Sequence, residues 1–526
     1  MTIPPIRLLH ESLLRRGSDP SSAGKTVAVI EGTVHSYGDL LRSATRLAGN
    51  LQARGLRRGD RVAIYLDNSW PAVVSIYAVL IAGGVFLPVN PQTKSDKLAF
   101  ILDDSGACVL ITDAHLGQQF LPLLDGSRLP GGVVCSGECP SHPAVSAFDL
   151  AIGPDAPDAL QCDVIGLDLA ALIYTSGSTG TPKGVMQTHQ SMVFACGSLV
   201  EYLRLSPDDR ILCALPLAFD YGLYQLLMTV SLGATLVLER SFTFPAQVFA
   251  RIRAEGVTVF PGVPTMFAML LAAHRKSPLR FEGVGRVTNT AAALSDASVA
   301  QLREVFPNAR IYRMYGLTEC KRVSYLAPEL IDERPGSVGK AIPGTEVFLL
   351  SPTGEQTPPG EIGVLHVRGP HVMLGYWNRP DLSEHMLRPG RLPGERVLCT
   401  HDLFRMDEDG FLYFMGRSDD IIKTRGEKVS PVEVENAMGA IDGIREVAVV
   451  GVDDELLGQA IRAYVVLQDD ASLSAGQIRA LCLRRLESFM VPQQIVIVEV
   501  LPRTSTGKVS KRALLASCAS GGHLDE

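Results

Sequence analysis

Residues 172–185 read LIYTSGSTGTPKGV. The apolar run that ends at Leu172 and Ile173 predicts a buried strand opening into a loop. In that loop Thr175, Ser176, Ser178, Thr179 and Thr181 alternate with Gly177, Gly180 and Gly184, and the loop closes on Pro182 and Lys183. Glycine lets backbone N–H groups approach an anion, hydroxyls add short hydrogen bonds, and a lysine adds positive charge. The stretch reads as a phosphate cradle. It is not the Walker loop, which ends in Gly-Lys-Ser/Thr. A Ser/Gly linker shares the composition but not the preceding strand or the closing Pro-Lys-Gly.

The chain around it has 526 residues, too many for one core, so two or more domains are expected. Hydrophobic residues make up 46% and charged residues 20%, with a net charge of −7. This is the balance of a globular protein with no electrostatic footprint for nucleic acid. Ten cysteines are scattered without a Cys-x-x-Cys pair, which predicts reduced thiols, a cytoplasmic setting and no zinc site. The N-terminus lacks a signal-peptide pattern. Residues 71–89 are apolar enough to imitate a membrane span, but Gly83-Gly84 and Asn90-Pro91 punctuate them into a buried helix and a strand at 85–89.

Along the chain, Ser36 is expected to cap a helix running toward Leu56, and a strand follows at 61–66. Further strands are predicted at 107–111, 132–135, 211–215, 234–238, 257–260, 286–288 and 311–314, with helices near 190–203 and from Pro264 and Ser295. Such alternation predicts parallel sheets flanked by helices, and ligands bind outside the carboxyl ends of such strands. Residues 136–164 read as a loop. Residues 335–416, rich in glycine, proline and short Val/Leu/Tyr runs, read as antiparallel β structure. A compact α/β pattern follows, with a helix at 431–438, strands at 447–452, 462–467 and 494–498, and a helix at 474–486. Residues 516–526 read as a frayed tail.

Four more stretches carry chemistry. They are MYGLTEC at 314–320, VLCTHDLFRMDEDG at 397–410, GRSDDIIKTRGEKVSP at 416–431 and LPRTSTGKVSKRAL at 501–514. Together with the first loop they resemble, over nearly the whole chain, the AMP-forming adenylating enzymes: acyl-CoA synthetases, nonribosomal-peptide adenylation domains and luciferases. The resemblance implies an α/β fold. A large N-terminal domain (1–417) would hold two βα-layered sheet subdomains and a distorted β-barrel, and a small mobile α+β C-terminal domain (418–526) would follow.

The resemblance also implies roles. Thr175, Ser176, Gly177, Ser178, Thr179, Gly180 and Lys183 would cradle ATP phosphates. Glu319 would hold Mg²⁺, Thr318 would contact the α-phosphate, and Tyr315 with Gly316 would face adenine. Thr290, Ala291 and Ala292 stand where relatives place a Gly-rich segment against adenine. Asp402 would bind the ribose hydroxyls, although His401 stands where glycine is usual, which puts the backbone of that loop in question. Arg417 would touch ribose and phosphate, Asp419 would be the hinge, and Gly426 would line the thiol tunnel. Lys508 resembles the catalytic lysine, whose charge would lie between substrate carboxylate and α-phosphate.

The implied reaction activates a carboxylic acid as acyl-AMP with release of pyrophosphate. The acyl group then passes to the thiol of coenzyme A (CoA) or of a phosphopantetheinyl carrier protein. By position, Asp220, Tyr221, Tyr224, Pro261, Thr288, Met314, Arg322 and Val323 would line the acid pocket. Many acyl-CoA synthetases carry histidine at the place of Phe219. Peptide-synthetase domains carry Phe-Asp, as here, and their Asp holds an amine. Asp220 thus points to an amino acid, unless it pairs internally with Arg322; the surrounding CKRVSYL points to an acyl or aryl acid. A separate acyl or peptidyl carrier protein is a candidate partner, and a monomer or homodimer is expected. Intact Lys183, Glu319, Asp402 and Lys508 argue against a non-catalytic nucleotide-binding module. A luciferase-like oxygenase shares the adenylation step.

Overall fold

The computed structural model describes residues 6–124, 129–157, 159–176, 182–290, 294–417, 420–424, 427–454, 457–504 and 508–519. The chain divides into two compact units. One comprises Met1–Pro335, Gly339–Val347 and Val367–Leu398; the other comprises Gly336–Val338, Phe348–His366 and Cys399–Glu526.

The first unit holds two sheets built from alternating strands and helices. In one, strands Val145–Ala147, Val133–Ser136, Val109–Asp113, Arg61–Tyr65, Val85–Val89 and Leu169–Ser176 lie side by side and parallel, and Pro182–Thr188 adds an antiparallel edge. In the other, the order is Ser324–Leu326, Arg310–Tyr315, Arg286–Asn289, Val259–Gly262, Arg210–Cys213, Thr235–Leu238, Thr26–Ile30 and Thr33–Ser36. Its six inner strands are parallel, and the strand at each end is antiparallel. Parallel strands are covered on both faces, which explains the continuous Val/Ile/Leu runs.

Local chemistry sets the element ends. Ser36 caps Tyr37–Ala53 in a reciprocal box with Asp39. Ser69 caps Trp70–Ile81, Pro71 occupies its first turn, and Gly83 turns the chain at φ +80°. The strand Val85–Val89 that follows is wholly buried. The apolar stretch 71–89 is therefore helix, turn and strand, and among the described residues no helix is long and apolar enough to cross a membrane.

In the second unit, strands Glu427–Val429, Ile422–Thr424, Gly458–Leu467 and Ile444–Asp454 form a sheet, and Gln494–Ile497 pairs parallel to Gly458–Leu467. Helices Pro431–Gly439 and Ala475–Cys482 pack on it through Val434, Met438, Ile478 and Cys482. Antiparallel pairing also joins Arg396–Met406 to Leu412–Arg417. Among the described residues no closed barrel is found within 335–417, whose strands Arg396–Met406 and Leu412–Arg417 pair antiparallel as expected.

Three segments are more ordered than their composition predicts. Within 136–164, Val145–Ala147 forms an edge strand and Phe148–Ala151 a short helix, because Val145 and Phe148 supply apolar anchors in a polar run. Within 335–416, Pro380–Met386 is helical. The tail read as frayed is helical as far as residue 519, in Lys511–Ala519. Leu514 is buried there, its carbonyl accepts a hydrogen bond from Tyr464 Oη, and Lys511 lies 3.1 Å from Glu435.

A buried histidine pair fastens the N-terminal helix Glu11–Ser18 to the start of His189–Tyr202. The rings of His10 and His189 meet edge to face at 5.7 Å, and the Leu9 N–H donates to His189 Nδ1 at 3.3 Å. Burial lowers His10 to about 4 and His189 to about 3; the Glu11 and Asp168 carboxylates oppose this only in part. Both rings are thus neutral when folded, while the unfolded chain takes up protons below about 6.5. Stability from this pair is complete above that pH and is lost as pH falls toward 4. Each histidine contributes on the order of 3 kcal/mol. Denaturant titrations between pH 7 and pH 4 should show this loss, and His10→Gln should flatten the slope. An unchanged slope would remove the pair from the acid response.

Candidate active site

The expected phosphate cradle is the tip of a hairpin. Leu169–Ser176 and Pro182–Thr188 run antiparallel, with Thr175 opposite Lys183 and Ser176 opposite Pro182. The tip residues Gly177, Ser178, Thr179, Gly180 and Thr181 lie outside the described residues. The hairpin aims Lys183 at Tyr376. The Lys183 Nζ donates to Tyr376 Oη at 3.2 Å and sits 4.3 Å from the centre of its ring. Tyr376 Oη in turn donates to Glu319 Oε1 at 2.6 Å. Tyr376 is 2% exposed and Glu319 9%.

Main-chain bonds lock this triad. The Met186 N–H donates to Gly375 O, the Leu374 N–H to Met186 O and the Trp377 N–H to Gly184 O. The Met373 N–H reaches Glu319 O at 2.8 Å. Residues 373–377 therefore tie the hairpin to the loop that carries Glu319.

That loop leaves strand Arg310–Tyr315 through Gly316. A Cβ at Gly316 would lie 2.1 Å from Lys321 O, so only glycine allows the loop to fold back this closely. The Cys320 and Lys321 N–H groups bond to Leu317 O, and the Val323 N–H bonds to Tyr315 O. Gln187, fully buried, donates to Thr318 O at 3.2 Å and accepts from Ser191 Oγ at 3.0 Å. Thr290 is buried at the end of strand Arg286–Asn289; Ala291 and Ala292 lie outside the described residues.

The residues expected to line the acid pocket gather at the carboxyl ends of the same parallel strands. Pro261 is in register with Thr288. Tyr221 Oη contacts both Thr288 O and Thr288 Oγ1, at 2.8 and 2.6 Å. Met314 Sδ accepts from Tyr202 Oη at 2.9 Å, and Val323 is fully buried. Asp220 and Tyr224 share one face of helix Asp220–Leu232, one turn apart.

One expected contact is absent. Arg322 does not pair with Asp220: its guanidinium lies 4.8 Å from the Tyr221 ring centre and donates from Nη1 to Lys321 O. The other buried cation here is Lys321, whose Nζ lies 5.8 Å from the centre of the Tyr224 ring. Lys321 is 1% exposed, and burial pushes its ammonium down to about 8, opposed by Asp220 and Glu319.

In the second unit, Asp402 is in register with Arg417, and Asp402 Oδ1 lies 3.7 Å from Arg417 Nη1. The Asp402 N–H bonds Thr400 Oγ1, and Thr400 Oγ1 donates to Leu365 O at 2.9 Å. His401, within strand Arg396–Met406, adopts φ +57°, a left-handed conformation that favours glycine. Lys508 is exposed at the base of a short loop. Its carbonyl accepts from Thr504 N–H and its N–H donates to Thr504 Oγ1. Asp419 and Gly426 lie outside the described residues.

Lys183 and Glu319, the acid-pocket residues, and Asp402 with Arg417 are thus each brought together within a unit. Tyr376, Gln187 and Lys321 carry the first two groups and were missed. The MLGYW run at 373–377 marks the tyrosine as an aromatic beside a flexible glycine, and Lys321 is a charge directly following the Glu319 loop. Only spatial proximity reveals what each touches. The donor set fits Mg²⁺. Glu319 Oε1 is engaged by Tyr376, no described residue bonds Oε2, and no cluster of three ligating residues exists among the described residues. One carboxylate plus phosphate oxygens is the usual arrangement for that ion.

Residues 19–377 match the AMP-binding enzyme family, and residues 433–508 match the AMP-binding enzyme C-terminal domain. The chain belongs to the AMP-binding enzymes. Among its relatives in this family, a feruloyl-CoA synthase from an Amycolatopsis species is 34% identical, over 91% of this chain and 93% of that protein. The ATP-bound structure of MatB from Rhodopseudomonas palustris is 30% identical and superposes with a TM-score of 0.87, covering 97% of this chain and 98% of that one. The o-succinylbenzoate CoA synthetase of Bacillus subtilis, captured with its acyl-adenylate intermediate, is 28% identical with a TM-score of 0.83, covering 96% and 97%.

Two stability predictions follow from the geometry. Tyr376→Phe removes the donor to a buried carboxylate and should cost about 1–3 kcal/mol in denaturant unfolding; a loss below ~0.5 kcal/mol would show that the bridge is not structural. His401→Gly relieves a left-handed histidine and should be stabilising by up to about 1 kcal/mol, read as a higher midpoint. A lower midpoint would mean that the imidazole's contacts outweigh the strain.

Proposed function

We propose that this chain is an AMP-forming ligase that joins a carboxylic acid to the thiol of CoA through an acyl-adenylate. The observation that carries the reading is the Lys183–Tyr376–Glu319 contact, which brings a lysine of the hairpin and a carboxylate with one oxygen unbonded among the described residues onto one phenol. The matches to acid–CoA ligases over nearly the full chain support it.

In the first step the acid's carboxylate oxygen attacks the α-phosphorus of ATP, and the bond to pyrophosphate breaks. The hairpin tip and Lys183 hold the phosphates. Glu319 is the protein ligand of Mg²⁺, which when bound neutralises phosphate charge. Thr318 faces the α-phosphate, Tyr315 and Gly316 face adenine with Thr290, Ala291 and Ala292, and Asp402 and Arg417 bind the ribose. Lys508 stabilises charge between acid and phosphate. In the second step the thiolate attacks the acyl carbonyl and AMP leaves. No protein nucleophile is needed; positioning and charge neutralisation supply the catalysis.

We place the functional boundary at 417/418, with Asp419 as hinge and Gly426 in the thiol tunnel; the two family matches, 19–377 and 433–508, fall on either side of it. A reducing, cytoplasmic setting suits the nine described cysteines, all free thiols.

The test is pyrophosphate release from Mg·ATP across a panel of acids, followed by thioester formation with CoA or with a separate carrier protein. Lys508→Ala should lower adenylate formation by about 10²–10³-fold while leaving Mg·ATP affinity within a few-fold. Full adenylation by that variant would remove Lys508 from the chemistry, and silence toward every acid would overturn the ligase reading.

A further inference from the structure

The acid pocket contains buried donors that the protein does not satisfy. Lys321 has three N–H donors and is 1% exposed, yet among the described residues it makes one long bond, to Thr318 O at 3.4 Å. Its Nζ lies 5.8 Å from the Tyr224 ring centre. Tyr224 Oη is buried with no partner among the described residues, and so is Arg322 Nε. Asp220 is 7% exposed, and no described donor bonds its carboxylate. It lies one helical turn from Tyr224, the residue whose ring Lys321 faces. Lys321 is also held at φ +67°, a backbone state that a non-glycine residue adopts only when its surroundings impose it.

Unsatisfied buried polar groups are costly, so such a cluster calls for a complementary ligand. Its chemistry can be read from the balance of charge. Two cations, Lys321 and Arg322, and one anion, Asp220, belong to the cluster, while Glu319 is bonded by Tyr376. An ammonium seeking Asp220 would be opposed by both cations. A second carboxylate seeking the cations would be opposed by Asp220. A hydroxyl meets neither objection. It donates to Asp220, accepts from Lys321 or Tyr224, and brings no charge to desolvate.

We infer that the acid activated here carries a hydroxyl on its acyl or aryl part, read by Asp220, Lys321 and Tyr224. The inference rests on the ligase reading above. Lys321 and Tyr224 are then specificity residues, and the apparent amine reader Asp220 is a hydroxyl acceptor. A site built to bond a substrate hydroxyl rejects the analogue lacking it, by up to about 10⁴-fold.

The experiment uses the full chain with Mg·ATP and measures kcat/KM for pyrophosphate release on matched sets of one carbon skeleton: plain, hydroxylated, aminated and carboxylated. The hydroxy acid should exceed the plain acid by about 10²-fold or more. In Lys321→Met that ratio should collapse to within about threefold. Tyr224→Phe, which removes a single hydroxyl, should lower it about tenfold and serves if the methionine variant does not fold, as judged by Mg·ATP calorimetry. Equal rates on plain and hydroxylated acids, or a preference for the amino or dicarboxylic member, would overturn the inference and leave the ligase intact. A preserved ratio in both variants would also overturn it. Failure on every acid, with Mg·ATP still bound, would overturn the ligase reading itself.

Discussion

The hydroxyl of Tyr376 stands between a lysine and a glutamate that would otherwise have no common support. Lys183 projects from a hairpin edge strand, and Glu319 from a loop after a strand of a different sheet. A buried carboxylate needs donors, and a lysine at the mouth of a glycine loop needs a resting place. One phenol meets both needs at 2.6 and 3.2 Å. The main-chain bonds of 373–377 hold that phenol, so the placement of Lys183 and Glu319 depends on a segment outside both of their motifs.

The second constraint is the close return of the loop after Tyr315. Because Gly316 has no Cβ, the backbone of Lys321 can lie against it, and the following turn sets Lys321 and Arg322 inward. The same loop thus faces two ways. In the proposed assignment Glu319 serves the phosphate side, and Lys321 and Arg322 serve the acid side. Coupling the two through one short loop fits a reaction in which acid carboxylate and α-phosphate must meet within bonding distance.

Strand Arg396–Met406 shows a local departure that is absorbed rather than propagated. A histidine at φ +57° costs on the order of 1 kcal/mol relative to glycine. Yet Asp402 keeps its register opposite Arg417, and its N–H is still bonded by Thr400. The strand pairing on either side of His401 over-determines its backbone, so the strand keeps its register.

Much was legible in the chain itself. Alternating apolar runs and helix starts such as Ser36 and Ser295 determined the strands and helices, because hydrophobic period and capping chemistry act over a few residues. The motifs around Lys183, Glu319, Asp402 and Lys508 determined the family, because each is a short run of contiguous residues. Contacts between distant segments were decided only by tertiary structure. The hold of Tyr376 on Glu319 spans 57 positions, and Arg322 turns to the Tyr221 ring instead of to Asp220. Leu514 and Val145 order segments whose polar composition read as loose. No local pattern encodes such pairings, because they follow from which side chains the packed sheets leave facing one another.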